Sequence, residues 1–121
     1  MLKLGILGAG HIATKLAGVF DFLRNETVPY AVASRTIEKA QAIAEKFNFT
    51  RAYGSYEELL SDPEVDVIYI ATPHSHHYEQ MLMCLEHGKH ILCEKPFTVN
   101  RRQAEIIFDK AKRTNRFVCE A

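Results

Sequence analysis

Four short stretches of this sequence hold residues able to do chemistry. The first is GAGHIA, Gly8 to Ala13. Its G-x-G-x-x-A spacing suits a turn that brings backbone against phosphates. Gly8 permits the tight turn, Gly10 leaves room for a pyrophosphate, and Ala13 lets a following helix pack close. His11 and Ile12 would head that helix, whose N-terminus carries about half a positive charge. The same turn is compatible with FAD or a nucleotide sugar, and with no ligand at all.

The second stretch is Ser34-Arg35-Thr36. A dinucleotide fold that prefers NAD places a carboxylate at such a point, about 20 residues or more beyond the glycines, to bind both ribose hydroxyls. Ser34 stands there instead. No acid repels a 2′-phosphate, and Arg35 can pair with one and stack on adenine. Charge-assisted bonds of about 1.5–3 kcal/mol favour NADP over NAD by about tenfold or more. Otherwise Arg35 is a solvated loop arginine.

The third stretch is Thr72-Pro73-His74, followed by His76 and His77. A His-x-His at a strand end can begin a metal site. No further cluster with ligand spacing accompanies it, and a barrel hydrolase built on such a pair needs a far longer chain. No metal is therefore assigned. Thr72, Pro73 and His74 instead make a wall beneath a nicotinamide, with His76 reaching ribose or substrate. The plainer alternative leaves His76 and His77 as partly solvated residues in the first turn of a helix.

The fourth is Glu94-Lys95-Pro96. Hydride transfer to a carbonyl develops negative charge on oxygen, and an ammonium within reach can donate a proton to it. In reverse, a lysine base needs a lowered pKa, which a cationic nicotinamide beside it would provide. Lys95 is the candidate catalytic residue. Glu94 would hold the ammonium or contact the cofactor ribose, and Pro96 would fix the backbone after them.

These stretches need elements to position them. Leu2 to Leu7 reads as a buried strand. A helix runs from His11 to about Leu23, with Ile12, Leu16, Val19 and Phe20 recurring at helical spacing. Pro29–Ala33 is a strand, Ile37–Phe47 a helix and Arg51–Tyr53 a brief strand. Ser55 and Glu58 form a capping box that opens a short helix ending at Asp62-Pro63. Val65–Ala71 is nearly all apolar on both faces, as in the middle of a parallel sheet. A helix over His76–His87 stops at Gly88, and His90–Cys93 is a strand. Asn100 with Gln103 caps a further helix, with Ile106, Ile107 and Ala111 inward, and Arg116–Cys119 is a last strand.

Strands and helices alternate throughout. That pattern predicts an α/β fold: a Rossmann doubly wound, six-stranded parallel sheet of order 3-2-1-4-5-6. Ligands in such sheets sit at the carboxyl ends of strands near the reversal of strand order. The glycine turn, Thr72-Pro73-His74 and Glu94-Lys95-Pro96 all fall there.

Composition agrees with one domain over residues 1–121. The chain is 47% hydrophobic and 25% charged, the balance of a globular protein. Its 15 basic and 15 acidic residues cancel, which argues against a nucleic-acid or membrane-surface partner. No apolar run approaches the roughly 20 residues of a membrane span, and the N-terminus reads as a strand, not a signal peptide. Three cysteines, none in a C-x-x-C pair, suit reduced thiols in a cytoplasmic protein.

Together GAGHIA, the SRT after the second strand, AYGSYEELLSDPEVDVIYIATP, CEKPF with Asn100 following, and the closing FVCEA carry a resemblance that covers the whole chain. The sequence resembles the N-terminal domain of the glucose-fructose oxidoreductase/inositol dehydrogenase/MocA family, and is especially similar to its dimeric dihydrodiol dehydrogenase and D-xylose dehydrogenase branch. The resemblance implies an NADP-dependent oxidoreductase acting on a small-molecule substrate: a sugar, polyol or cyclic diol. Lys95 would match the family's catalytic lysine and Arg35 its 2′-phosphate contact. His74 departs from the Asn common in that place. The family also implies a second α/β domain after Ala121, carrying most substrate contacts and a homo-oligomer interface. The expectation is that residues 1–121 bind NADP(H) with little or no turnover. They are also expected to expose apolar groups near Phe97, Phe117 and Val118, through which they self-associate. The competing reading is a non-catalytic module that senses NADP(H); Glu94 and Lys95 favour the enzyme. A methyltransferase-like domain explains neither Arg35 nor Glu-Lys-Pro.

Overall fold

The computed structural model describes residues 1–97 and 100–121. Strands β1 (Lys3–Leu7), β2 (Val28–Ala33), β3 (Arg51–Tyr53), β4 (Val67–Ile70), β5 (His90–Cys93) and β6 (Val118–Glu120) form one sheet. The order is β3-β2-β1-β4-β5-β6, and every pairing is parallel. The expected α/β architecture is the observed one. Helices α1 (His11–Phe22), α2 (Ile37–Phe47), α3 (Tyr56–Leu60), α4 (His77–Glu86) and α5 (Arg101–Thr114) make the crossovers.

Side chains alternate across the strands, so the sheet divides the apolar residues into two cores. Leu4 and Ile6 of β1, Val32 of β2 and Tyr69 of β4 pack with Ala13, Ala17, Ala40 and Ile43 of α1 and α2. Leu7, Ile68, Ile70, Ile91 and Cys93 pack on the opposite face with Leu59, Met81, Leu85 and Ile107. β4 is buried along its whole length, as expected for a central parallel strand.

Local signals set most boundaries. The Ser55 hydroxyl accepts the Glu58 N–H at 3.2 Å, and the Asn100 side chain accepts the Gln103 N–H at 3.0 Å, so both caps act as read. Helices α2 and α5 end on Asn48 and Asn115 in the left-handed conformation. Asparagine tolerates that conformation better than other side chains do, apart from glycine.

Three side-chain placements differ from the sequence reading. On α1 the buried stripe is Ala13 and Ala17, while Ile12 and Val19 are 41% and 44% exposed. Two alanines let the helix axis approach the sheet closely, and the larger residues are displaced to its flanks. On α5, Ile106 is exposed and Ile107 takes the inward position. Phe97 is buried rather than part of an open apolar face, stacked on Phe108 with ring centroids 5.3 Å apart. Phe117 remains exposed and stacks on His90.

Candidate functional site

The carboxyl ends of β1, β2, β4 and β5 converge on one edge of the sheet. At β1 the chain turns through Gly8 with φ +111°, which L side chains rarely adopt. A Cβ there would also lie 3.0 Å from the Ala71 carbonyl oxygen, because the turn lies against the end of β4. At Gly10 a Cβ would meet nothing within 4 Å. The glycine opens onto unfilled space directly before α1. Gly10 contributes no side-chain cap, and α1 has no acid in its first turn. The first N–H groups of a helix have no intrahelical acceptor. This end of α1 therefore presents donors and partial positive charge to that space.

The space is an open cleft of about 520 Å³. Gly8, Gly10, His11 and Ile12 line one side, Ser34, Arg35 and Thr36 another, and Thr72 and Pro73 a third. Sequence reasoning did not single out Lys39 and Tyr56, which also line it. No carboxylate is among the lining residues, and two cations are. Lys39 follows Arg35 by four positions at the start of α2, a spacing visible in the sequence. Ser34 is buried, and its hydroxyl accepts the Thr36 N–H at 3.2 Å, shaping the turn that projects Arg35.

A second, smaller cleft of about 240 Å³ adjoins the first and shares Arg35, Tyr56 and Pro73 with it. His76, Glu79, Gln80 and Met83 complete its lining. His76 therefore shares a cleft with Arg35, whereas the sequence reading had it reaching ribose or substrate. His74 begins a 3-10 turn over His74–His76, is exposed, and lines neither cleft.

That turn rotates the start of α4 so that His77 points inward. His77 is 1% exposed. The plainer alternative from the sequence left it partly solvated, and the buried ring departs from that. Its Nε2 lies 2.8 Å from the Thr72 carbonyl oxygen, and its Nδ1 lies 2.8 Å from the Pro96 carbonyl oxygen. The signal was present: His77, Met81, Cys84 and Leu85 share one helical face. The Thr72 hydroxyl donates to Gln80, anchoring the same loop to α4 a second time.

The Glu94-to-Phe97 corner is held from several sides. The Glu94 N–H donates to Ile70 O at 3.0 Å, and the Phe97 N–H donates to the Glu120 carboxylate at 3.0 Å. The Tyr69 hydroxyl donates to Glu94 Oε2. The Lys95-Pro96 peptide bond is cis. Lys95 itself is exposed. Glu94 is thus engaged by Tyr69, whereas the sequence reading offered it to the Lys95 ammonium or the cofactor ribose. The neighbouring Cys93 is buried, and burial together with the Glu120 charge pushes its thiol up to about 12. It is an inert core residue, not a nucleophile. Among the described residues no group of three or more His, Cys, Asp or Glu is placed to hold a metal ion. No helix among them is long and apolar enough to cross a membrane.

Comparison with known proteins agrees with this geometry. Residues 2–121 match the family model GFO_IDH_MocA, described as an oxidoreductase family with an NAD-binding Rossmann fold. A trans-1,2-dihydrobenzene-1,2-diol dehydrogenase of Mus musculus is 45% identical over 121 residues, covering 99% of this chain and 36% of its own length. A D-xylose 1-dehydrogenase (NADP(+)) of Hypocrea jecorina is 41% identical over 132 residues, covering 99% of this chain and 34% of its own. The chain thus spans about a third of the length of these relatives. Among solved structures, a 3-ketoreductase from Actinomadura kijaniata in complex with NADP superposes with a TM-score of 0.93 at 32% identity, covering 98% of this chain and 38% of that one.

Proposed function

The chain belongs to the GFO/IDH/MocA oxidoreductase family, and from that premise we propose that it is an NADP-binding domain that brings Lys95 to a hydride-transfer site. The observation that carries the proposal is a convergence. The glycine turn, the Ser34-Arg35-Thr36 turn and the Thr72-Pro73 loop line one cleft without a carboxylate, and the Lys95 corner follows at the next strand end.

The residues present fit the cofactor. The open space at Gly10 and the N-terminus of α1 suit its pyrophosphate. Arg35 and Lys39, which line the cleft, would take the 2′-phosphate, with Ser34 and Thr36 supplying further polar groups. The smaller cleft, with Arg35, Tyr56 and His76, offers flat surfaces suited to adenine. Thr72 and Pro73, which line the larger cleft, with His74 and Glu94, which line neither, complete the assignment on the nicotinamide side. NAD would bind more weakly, lacking the phosphate that Arg35 recognises.

When bound, the nicotinamide supplies the hydride donor or acceptor. Lys95 handles the proton: its ammonium donates to a substrate carbonyl oxygen as charge develops there, and its amine takes the hydroxyl proton in the reverse direction. Pro96 and Glu94 hold the backbone on either side of it. A sugar, polyol or cyclic diol is the substrate class, in keeping with the names of the relatives. By itself the 121-residue chain is expected to bind the cofactor and turn over little.

The test is calorimetric titration of this chain with NADPH and with NADH. Tighter binding of NADPH is the expected result; binding of neither overturns the reading.

A further inference from the structure

His77 lies outside the cofactor cleft and does not reach solvent, so the reading above gives it no part. Yet its ring spans the two loops that the reading depends on. Thr72, whose carbonyl faces Nε2, is a wall of the cleft; Pro96, whose carbonyl faces Nδ1, directly follows Lys95. Both contacts are 2.8 Å, and both partners are acceptors only. A ring N–H therefore donates to the loops, and a buried side chain is committed wholly to their backbones.

The sheet fixes the strand ends but not the residues beyond them. Pairing runs to Ile70 opposite Cys93, and the Glu94 N–H extends it by one bond. Beyond that point Thr72 and Pro96 leave the ladder. A rigid five-membered ring at fixed distance from both oxygens sets how far apart they lie.

We propose that His77 is a positioning residue. It sets the spacing between the Thr72-Pro73 wall and the Lys95-Pro96 corner, and so the fit of the nicotinamide half of the cofactor against the lysine. The proposal rests on the cofactor reading above, and deepens it by dividing the site into two separately supported halves. Gly8–Ala13 and Ser34–Thr36, which serve the adenosine half, are not among the ring's hydrogen-bond partners. A His77 substitution should therefore weaken recognition of the nicotinamide half alone.

The experiment titrates wild-type chain, His77→Leu and His77→Gln with NADPH and with adenosine 2′,5′-bisphosphate, which lacks the nicotinamide. The expected result for His77→Leu is an NADPH affinity lower by about tenfold or more, with unchanged affinity for the bisphosphate. His77→Gln keeps one donor and should recover part of the loss. A merely structural histidine would lower both affinities together, or neither, and either result overturns the proposal. If the leucine variant does not fold, the wild-type ring decides. Nitrogen-resolved NMR of its imidazole should change when NADPH is added and stay unchanged with the bisphosphate; no change with either ligand overturns the proposal. Wild-type chain that binds neither ligand would remove the cofactor reading itself, and this inference with it.

Discussion

The Tyr69 hydroxyl donates to the Glu94 carboxylate, tying the buried central strand β4 to the residue that precedes Lys95. Tyr69 is itself held by the α1 core, where its ring meets Phe20 edge-on at 6.2 Å. Removing the hydroxyl alone keeps that packing. Tyr69→Phe is therefore expected to cost about 1.5 kcal/mol in urea unfolding, the low end for a bond to a charged acceptor. The double variant with Glu94→Gln should lose less than the sum of the single losses. Strict additivity would show that the contact contributes nothing.

The two glycines of the first turn should respond oppositely to alanine. At Gly8 the positive φ and the Ala71 carbonyl at 3.0 Å both oppose a Cβ. Gly8→Ala should destabilise the fold by about 1–3 kcal/mol. At Gly10 the backbone is ordinary and the space empty, so Gly10→Ala should leave the melting temperature unchanged while weakening NADPH binding. Thermal unfolding and calorimetry on both variants separate a conformational from a steric role.

Arg35→Ala should lower NADPH affinity by about tenfold or more and leave NADH affinity nearly unchanged. Competition titration with the two cofactors measures the ratio directly. An unchanged ratio would pass the 2′-phosphate to Lys39, the other cation lining the cleft.

The Tyr53 hydroxyl donates to Asp62 at 2.7 Å, and this bond makes stability depend on pH at both extremes. Burial raises the Asp62 pKa, but the bonds from Tyr53 and the Glu64 N–H together with the Arg51 and Lys89 charges outweigh it, and the net shift is downward. That contribution is present above the ordinary carboxylate range and is lost as pH falls through the lowered folded value. Burial and the same bond push Tyr53 up, from 10.0 to about 12. Its contribution is complete below pH 10 and disappears as pH rises from there toward about 12. Tyr53→Phe should flatten both limbs in urea midpoints measured across pH; an unaltered profile would assign the limbs to other groups.

Strand order and the cleft were legible because they follow from local signals. Alternating apolar runs gave the parallel sheet, and glycines at a strand end gave the turn. Ser34 and Arg35 could be placed because the second strand and second helix had clear limits. The α1 face was misread because Ile12 and Val19 repeat at helical spacing as convincingly as Ala13 and Ala17 do. Only the closeness of the sheet favours the small pair. His77 was misread because histidine suits water and core equally, and only the 3-10 turn before α4 decides which way residue 77 faces. Phe97 was assigned to an open face because its partner Phe108 lies one helix further along the chain.

The corner between Glu94 and Phe97 is fastened by Ile70, Tyr69, His77 and Glu120, and among the described residues none of those bonds uses the Lys95 side chain. Support and reactivity are thus separated at one residue. The ammonium rides on a mount that does not depend on it. Such a position is exchangeable: an acid, a neutral donor or an inert side chain can stand at 95 on the same backbone. If Lys95 transfers the proton as proposed, one substitution there would leave a pure binding module without rebuilding anything beneath it.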